Sequence, residues 1–239
     1  MVVETNKLRQ SEDQGEKLQS IEASVKNQTD RLISLGCHRE VYGDLSEEKA
    51  TRRYRADFAL SEGIIQPEQY RRRFDIALVV EPRISFLRQH ELAEGLKYFE
   101  LTAVVKKWAT SRIVSHGIPQ GGIKNLTKIP ADKPYLIWTH DAQKYRPLTV
   151  KQALGIFGSD EVGSPQIEVT ALYLQYPEYF INRGINAAGS TYESGSANGI
   201  PFILVYDTQQ PGFHVDWVDM PGDVWGALSR GKEVVKLGV

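Results

Sequence analysis

The apolar positions of the first forty residues recur at helical spacing. Four of them share one face of a helix predicted over residues 5–35: Leu18, Ile21, Val25 and Leu32. Gly36 follows at the position of a C-terminal cap. The apolar stripe is narrow, which suits a helix that packs on a partner or on a second copy of itself. We therefore interpret residues 1–36 as an N-terminal helical extension and residues 37–239 as a single domain.

Three uninterrupted apolar segments predict strands that are buried on both faces. They are "DIALVVEP" (75–82), "KPYLIWTHD" (133–141) and "IPFILVYD" (200–207), each with a proline near one end. The last two also share an aromatic residue after the proline and an aspartate at the close. Strand ends are where α/β active sites lie, so this shared pattern suits either a functional edge or two ordinary buried strands.

Helix signals lie between these strands. Helices are predicted within "DLSEEKATRRYRADFALSEG" (44–63), "PLTVKQALGIFG" (147–158) and "SPQIEVTALYLQYPEYF" (164–180). Thr149 and Gln152 have the spacing of a capping box, and Ser164 is expected to cap the third helix. Helices mixed with strands in this order predict an α/β (α+β) fold with a single mixed β-sheet flanked by helices.

Two further segments complete the prediction. Residues 184–199 are rich in glycine, serine and asparagine, and we interpret them as a flexible connection. The segment "FHVDWVDM" (213–220) alternates between apolar and polar residues, which is typical of an edge strand.

Composition and charge exclude several classes of function. Lysine and arginine total 29 against 30 aspartates and glutamates, so no net field attracts the chain to nucleic acid or anionic lipid. The single cysteine, Cys37, excludes an intrachain disulfide and is typical of a reducing compartment. No apolar run is long enough to span a membrane, and the charged start does not resemble a signal peptide. We expect a cytoplasmic protein that uses no cofactor and engages no membrane.

Candidate catalytic residues are few. The histidines are isolated from one another and no HExxH or CxxC motif is present, so no metal site is predicted. His140 and Asp141 follow one predicted strand, and His214 and Asp216 lie on another. If those strands are neighbours, the four side chains meet beside the 184–199 tract and could serve an enzyme of the hydrolase or transferase type.

Two clusters are candidates for binding. Residues 49–73 carry seven lysines or arginines against three acidic residues. The arginines are Arg52, Arg53, Arg55, Arg71, Arg72 and Arg73. With Tyr54, Tyr70 and Phe74 they could contact phosphates and stack on bases, although the neutral total charge disfavours nucleic acid and an acidic protein surface suits them equally well. Trp217 and Trp225 would line a groove if they are exposed and close the core if they are buried.

Much of the chain between residues 30 and 231 resembles a family of uncharacterised bacterial proteins, known as a domain of unknown function. The segments that carry the resemblance are "LISLGC" (32–37), "PYLIWTHDA" (134–142), "LTVKQAL" (148–154), "SPQIEVTALYLQYPE" (164–178), "IPFILV" (200–205) and "WGALSRG" (225–231). Thr170 stands where the family pattern has glycine. The resemblance implies that these segments belong to one domain, and it implies neither an activity nor a catalytic residue.

Three functions stay open from the sequence. The narrow helix, the neutral charge and the isolated histidines favour a non-catalytic binding or assembly protein, whose N-terminal helix pairs with a protein partner or with itself. The first alternative is the hydrolase- or transferase-type enzyme. The second is nucleic-acid binding through residues 49–73, which predicts an affinity that falls steeply with salt.

Overall fold

The structure, a computed structural model, describes most of the chain. The described residues are 21–60, 74–86, 88–89, 92, 123–180, 183–194, 197–205, 211–217, 219 and 225–238. Two parts of the sequence prediction lie outside them, namely the start of the N-terminal helix and the second arginine cluster, Arg71, Arg72 and Arg73.

The described elements mix helices with short strands. The helices are α1 (residues 21–34), α2 (Cys37–Val41), α3 (Glu47–Asp57), α4 (Val150–Ile156) and α5 (Gln166–Gln175), with 3-10 turns at Gln143–Tyr145 and Pro177–Phe180. The strands are β1 (Ile76–Val80), β2 (Ile123–Asn125), β3 (Tyr135–Thr139), β4 (Glu161–Gly163), β5 (Gly184–Asn186), β6 (Ser190–Ser194), β7 (Ala197–Val205), β8 (Pro211–Trp217), β9 (Trp225–Ala227), β10 (Ser229–Gly231) and β11 (Val235–Lys236). The predicted α/β class is confirmed.

The strands form two sheets in place of the single sheet expected. In the first, the β3 sheet, the order is β1-β3-β10-β4, β11 also pairs with β3, and every pair is antiparallel. In the second, the β7 sheet, the order is β2-β6-β7-β5-β9, with β8 paired to β7 and a parallel contact between β5 and β9. Near the end of the described part, the chain passes from one sheet to the other within a few residues. β9 belongs to the β7 sheet and β10 to the β3 sheet, with only Leu228 between them. Strand periodicity carries no signal for such a change of sheet.

Helix α5 lies between the two sheets, where it contacts both β1 and β7. Nine of its ten residues are buried, as expected for a helix that is largely apolar on every side. The expected cap, Ser164, is not the residue that accepts a hydrogen bond from the first backbone N–H of α5. Pro165 occupies the cap position, and the backbone N–H of Gln166 donates to Oγ of Ser190 at 2.9 Å. For α4, in contrast, the predicted capping box between Thr149 and Gln152 is confirmed.

The described part of the N-terminal helix packs on the β3 sheet. Val25 and Leu32 are 4% and 2% exposed and belong to the main core. Gln28 bonds the outer edge of β1: its Nε2 donates to the carbonyl of Ala77 at 2.7 Å, and its Oε1 accepts from the N–H of Val79 at 2.8 Å. The amide thus satisfies backbone groups of an edge strand, which would otherwise invite another chain to pair. Over residues 21–34 the apolar stripe is covered by the chain itself, where the sequence predicted a separate extension.

Two glycines allow a close backbone approach between the sheets. The N–H of Gly189, in the turn from β5 to β6, donates to the carbonyl of Ser164, just after β4, at 2.8 Å. A Cβ on Gly163 would lie 2.5 Å from the carbonyl carbon of Ala188, which no real side chain tolerates. The tract 184–199, expected to be a flexible connection, therefore contains β5, β6 and the start of β7 and closes against the other sheet.

Candidate functional site

His140 begins a buried series of hydrogen bonds at the end of β3. Its Nε2 lies 2.7 Å from Oγ of Ser229, and that hydroxyl donates to Oε1 of Glu161. The hydroxyl of Tyr145 donates to the same carboxylate oxygen at 2.6 Å, and Nζ of Lys144 lies 3.2 Å from both carboxylate oxygens. His140 and Glu161 are 5% exposed and Ser229 is fully buried, so we call these three residues the inner polar chain.

The hydrogen bonds fix the proton on one nitrogen of His140. The backbone N–H of Ala142 donates to Nδ1 at 2.8 Å, and a backbone N–H can only donate. In the neutral ring Nδ1 is therefore the acceptor, Nε2 carries the hydrogen, and Nε2–H donates to Ser229. A nucleophilic triad needs the opposite order, in which the imidazole accepts the serine proton and donates to a carboxylate. The inner polar chain consequently does not activate Ser229 through His140.

The surroundings keep His140 neutral. Burial and the nearby Lys144 lower the pKa of His140 to about 4, although the carboxylates of Glu161 and Asp141 act in the other direction. The ring stacks on Phe74, with the centroids 6.2 Å apart and the planes 7° from parallel. Burial raises the pKa of Glu161, but hydrogen bonds from Ser229 and neighbouring donors outweigh it, and the net change is downward.

His140 should make the fold sensitive to acid. A histidine with an unfolded pKa of about 6.5 and a folded pKa near 4 favours unfolding as it takes up a proton. Its contribution to stability is complete above pH 6.5 and is lost as the pH falls toward 4, by up to about 3 kcal/mol. Urea unfolding of the protein and of a His140→Gln variant at a series of pH values measures this contribution. The variant should lose less stability over that interval, and parallel curves would contradict the assignment.

The other two candidate catalytic residues lie in the other sheet. His214 and Asp216 are on β8, where their Cα partners are Phe202 and Ile200 of β7. β3, which leads into His140, pairs only with β1, β10 and β11 among the described strands. The strands that would have to be neighbours for a shared catalytic edge therefore belong to different sheets.

The remaining candidates of the sequence occupy local positions. Oδ1 of Asp141 accepts from the backbone N–H of Gln143 at 3.1 Å, which is an Asx turn. Trp217 ends β8 and Trp225 begins β9, so both belong to the β7 sheet. None of the contacts that the structure describes joins Asp141, Trp217 or Trp225 to the inner polar chain.

Cys37 is buried and free of any disulfide. Burial, together with the carboxylate of Glu81, raises the pKa of Cys37 to about 12. The thiol is therefore protonated at neutral pH and does not serve as a nucleophile.

Helix α3 has one buried face and one basic face. Ala50, Tyr54 and Phe58 recur every four residues and are at most 1% exposed. Arg52 and Arg53 lie between them in sequence and are exposed. We use the name basic face of α3 for the exposed cations Lys49, Arg52 and Arg53.

Most of the surrounding arginines are held by carboxylates of the chain itself. The ion pairs are Arg39–Glu47, Arg55–Asp30, Arg83–Asp57, Arg83–Glu81, Arg88–Glu40 and the buried Arg230–Glu168. Arg52 and Arg53 pair with no carboxylate of the described residues. The guanidinium of Arg53 lies 5.1 Å from the ring centroid of Tyr42, a cation–π contact that orders the side chain and leaves its N–H donors free.

Two of the aromatic residues expected to stack on nucleic-acid bases, Tyr54 and Phe74, face the interior instead, and Tyr70 lies outside the described residues. Tyr54 is fully buried and packs on Phe58, with ring centroids 4.8 Å apart. Phe74 is 1% exposed and packs on His140. Base recognition of this kind needs an accessible ring face, so the described part of residues 49–73 offers exposed cations without the expected stacking partners.

Sequence reasoning missed Ser229, Glu161 and Tyr42. Ser229 is 89 positions from His140, and no short motif links the two. Tyr42 could have been predicted from the sequence as a surface residue, because Gly43 and Asp44 directly after it indicate a turn.

These features define a mixed α/β protein with two sheets, an inner polar chain and a basic helical face. No protein-family model, curated protein or solved structure matches the chain. The resemblance to uncharacterised bacterial proteins therefore stays a prediction. Within the described ranges, no helix is long and apolar enough to cross a membrane, and no group of three or more histidine, cysteine or acidic side chains could hold a metal ion.

Proposed function

We propose that this protein is a non-catalytic binding protein that recognises an acidic segment of a protein partner through the basic face of α3. The observation that carries the proposal is the contrast among the arginines. Carboxylates of the chain hold Arg39, Arg55 and Arg83, whereas Arg52 and Arg53 are exposed with no carboxylate partner among the described residues. A guanidinium offers a planar set of donors that matches a carboxylate.

The charge left after internal pairing is small. Arg39 neutralises Glu47, Arg83 neutralises Asp57, and Asp30 neutralises Arg55. Between residues 44 and 57 the exposed groups without an ion-pair partner in the described part are Lys49, Arg52, Arg53, Asp44 and Glu48. These five groups carry one net positive charge, and Glu81, the second carboxylate on Arg83, offsets it. The surface therefore does not attract a partner from a distance, and recognition depends on direct contact. We expect weak, salt-sensitive binding.

The alternatives have less support. An enzyme that uses His140 would need an accessible, activated nucleophile, and Ser229 is fully buried with its hydroxyl donating to Glu161. Contact through the N-terminal helix is disfavoured over residues 21–34, because the apolar stripe there is buried in the chain. A cytoplasmic location belongs to the same proposal and is supported by the one free thiol, Cys37.

Charge reversal tests the proposal. Arg52→Glu/Arg53→Glu should bind a fluorescein-labelled glutamate–serine peptide about tenfold more weakly than the unchanged protein, since each exposed ion pair contributes up to about 1 kcal/mol and reversal adds repulsion. Lys232→Glu/Lys236→Glu makes the same change in charge at two exposed residues near the C-terminus and is the matched control. Fluorescence anisotropy measures the affinities.

The comparison peptides are a lysine–serine peptide and an oligothymidine. Equal loss of affinity in both double variants would show that only total charge matters and would overturn the proposal. Tighter binding of oligothymidine than of the acidic peptide would favour nucleic acid instead.

A further inference from the structure

Strand β8 lies at the edge of the described β7 sheet. All seven of its residues, from Pro211 to Trp217, pair with β7, and among the described strands β8 pairs with no other. An edge strand presents a row of backbone N–H and C=O groups to which a further strand can bind. The one proline of β8 is its first residue, so every later residue keeps its N–H donor.

The hydrogen bonds of β7 show which residues of β8 direct their backbone groups outward. The carbonyl of Pro201 in β7 accepts from the N–H of Ala187 at 2.8 Å, on the β5 side, which is opposite to β8. Pro201 and its Cα partner Val215 therefore exchange no hydrogen bond, and the N–H and C=O of Val215 point away from β7. Since this orientation repeats every second residue, the backbone groups of Phe213 and Trp217 also point outward.

We propose that β8 pairs antiparallel with β8 of a second copy of this chain, with the two-fold axis at Val215. In this register Val215 lies opposite its own counterpart and Phe213 lies opposite Trp217. These are the residues with outward backbone groups, so each pair exchanges its hydrogen bonds in both directions. His214 lies opposite Asp216 of the second copy, and the symmetry repeats this pair on the other side of the axis. Aromatic pairs and pairs of a basic with an acidic residue are favourable between neighbouring strands.

The sequence of β8 favours this register over its neighbours. Residues 213–217 are aromatic, basic, aliphatic, acidic and aromatic in turn, so the segment is complementary to itself when it is reversed. An axis at Asp216 would place two carboxylates directly opposite each other, and an axis at His214 would place Asp216 opposite Gly212. Because the pairing uses the outer edge of both copies, it closes at a dimer and does not extend into a fibre.

Sedimentation velocity of the protein at increasing concentration measures the association. We expect a reversible species with twice the mass of one chain. Val215→Pro should weaken dimerisation about tenfold, because it removes the outward N–H at the axis from both copies. The pairing with β7 does not use that N–H, so the circular dichroism spectrum and the thermal midpoint of the monomer should change little.

Charge reversal tests the register without altering the backbone. His214→Asp and Asp216→Lys each place like charges opposite each other in the dimer and should each weaken it about tenfold, because the symmetry affects both pairs. His214→Asp/Asp216→Lys restores opposite charges in exchanged order and is the matched control. The double variant should dimerise within about threefold of the unchanged protein.

The outcomes separate the dimer from its register. A monomer at every concentration, or a dimer that neither Val215→Pro nor the single charge variants weaken, overturns the proposal. Loss of the dimer in both single variants with no recovery in the double variant overturns the register at Val215. Recovery in the double variant supports the proposal, whether or not Val215→Pro folds.

Discussion

Gly189→Ala should lower the free energy of unfolding by about 3 kcal/mol, or prevent folding altogether. The added Cβ would lie 2.1 Å from the carbonyl oxygen of Gly163, 2.7 Å from its carbonyl carbon and 2.8 Å from the backbone nitrogen of Pro165. All three are backbone atoms, so no change of rotamer relieves the contact. The turn between β5 and β6 would have to move away from the end of β4, and the hydrogen bond from Gly189 to Ser164 would be lost.

Gly155→Ala is the matched control for this substitution. Gly155 is an exposed residue of α4, and a Cβ there would meet nothing within 4 Å. Alanine should stabilise the helix by roughly 0.5–1 kcal/mol, because it is the better helix former. Guanidinium unfolding of the two variants measures both effects. A Gly189→Ala protein as stable as the unchanged chain would contradict the close crossing of the two sheets.

Arg230→Met should lower the free energy of unfolding by about 3–5 kcal/mol, because it leaves a buried carboxylate without its cation. Nε of Arg230 lies 2.9 and 3.0 Å from the two oxygens of Glu168, and the exposed fractions of the two side chains are 1% and 0%. The remaining N–H groups of Arg230 donate to the carbonyls of Gly231, Lys232 and Lys128. The guanidinium thus connects α5 to three other parts of the chain, namely β10, the segment after it and the loop after β2.

The pH dependence and a double variant identify this mechanism. Burial raises the pKa of Glu168 to about 7, while Arg230 and Tyr135 act to lower it. Without Arg230 the pKa of Glu168 rises further, so the variant keeps this carboxyl neutral at pH values above 7, where the unchanged protein ionises it. The cost of Arg230→Met should therefore grow as the pH rises above 7 and stay nearly constant between pH 7 and about 4.5. Glu168→Leu/Arg230→Met should recover part of the loss, since it removes both charges. A constant cost at every pH, or additive losses in the double variant, would contradict this account.

The sequence predicted local structure well where a short pattern determines it. The segments that contain β1 and β3 are continuous apolar runs, and both strands are buried on both faces except for one half-buried residue each. The capping box of α4 depends on two residues three positions apart, and such a pattern is visible in one sequence. Gly36 was placed correctly at the end of α1, where its φ of 86° is the left-handed conformation that glycine adopts readily.

The pairing of distant segments was not predictable. β3 and β7 carry the same apolar pattern, yet they belong to different sheets, because the chain changes sheet between β4 and β5. It changes sheet again at Leu228, between two three-residue strands. The inner polar chain joins His140 to Ser229 and Glu161, which come from separate strands of the β3 sheet. Hydrophobic periodicity reports which face of a strand is buried and says nothing about which strand lies beside it.

The candidate binding surface was predictable in part. Arg52 and Arg53 stand out as cations on a predicted helix, but which arginines are neutralised depends on carboxylates such as Asp30, which is 25 residues from Arg55. Only the structure separates the exposed, unpaired arginines from those that hold the fold together.

The measurement that tests the central claim most directly is a map of where an acidic peptide contacts the protein. Amide correlation spectra of the 15N-labelled protein, recorded during titration with the glutamate–serine peptide, report each backbone position separately. We predict that the chemical-shift changes concentrate between Tyr42 and Arg53. Changes that concentrate instead around His140 and Ser229, with residues 42–53 unaffected, would contradict binding through the basic face of α3 and favour a site at the inner polar chain.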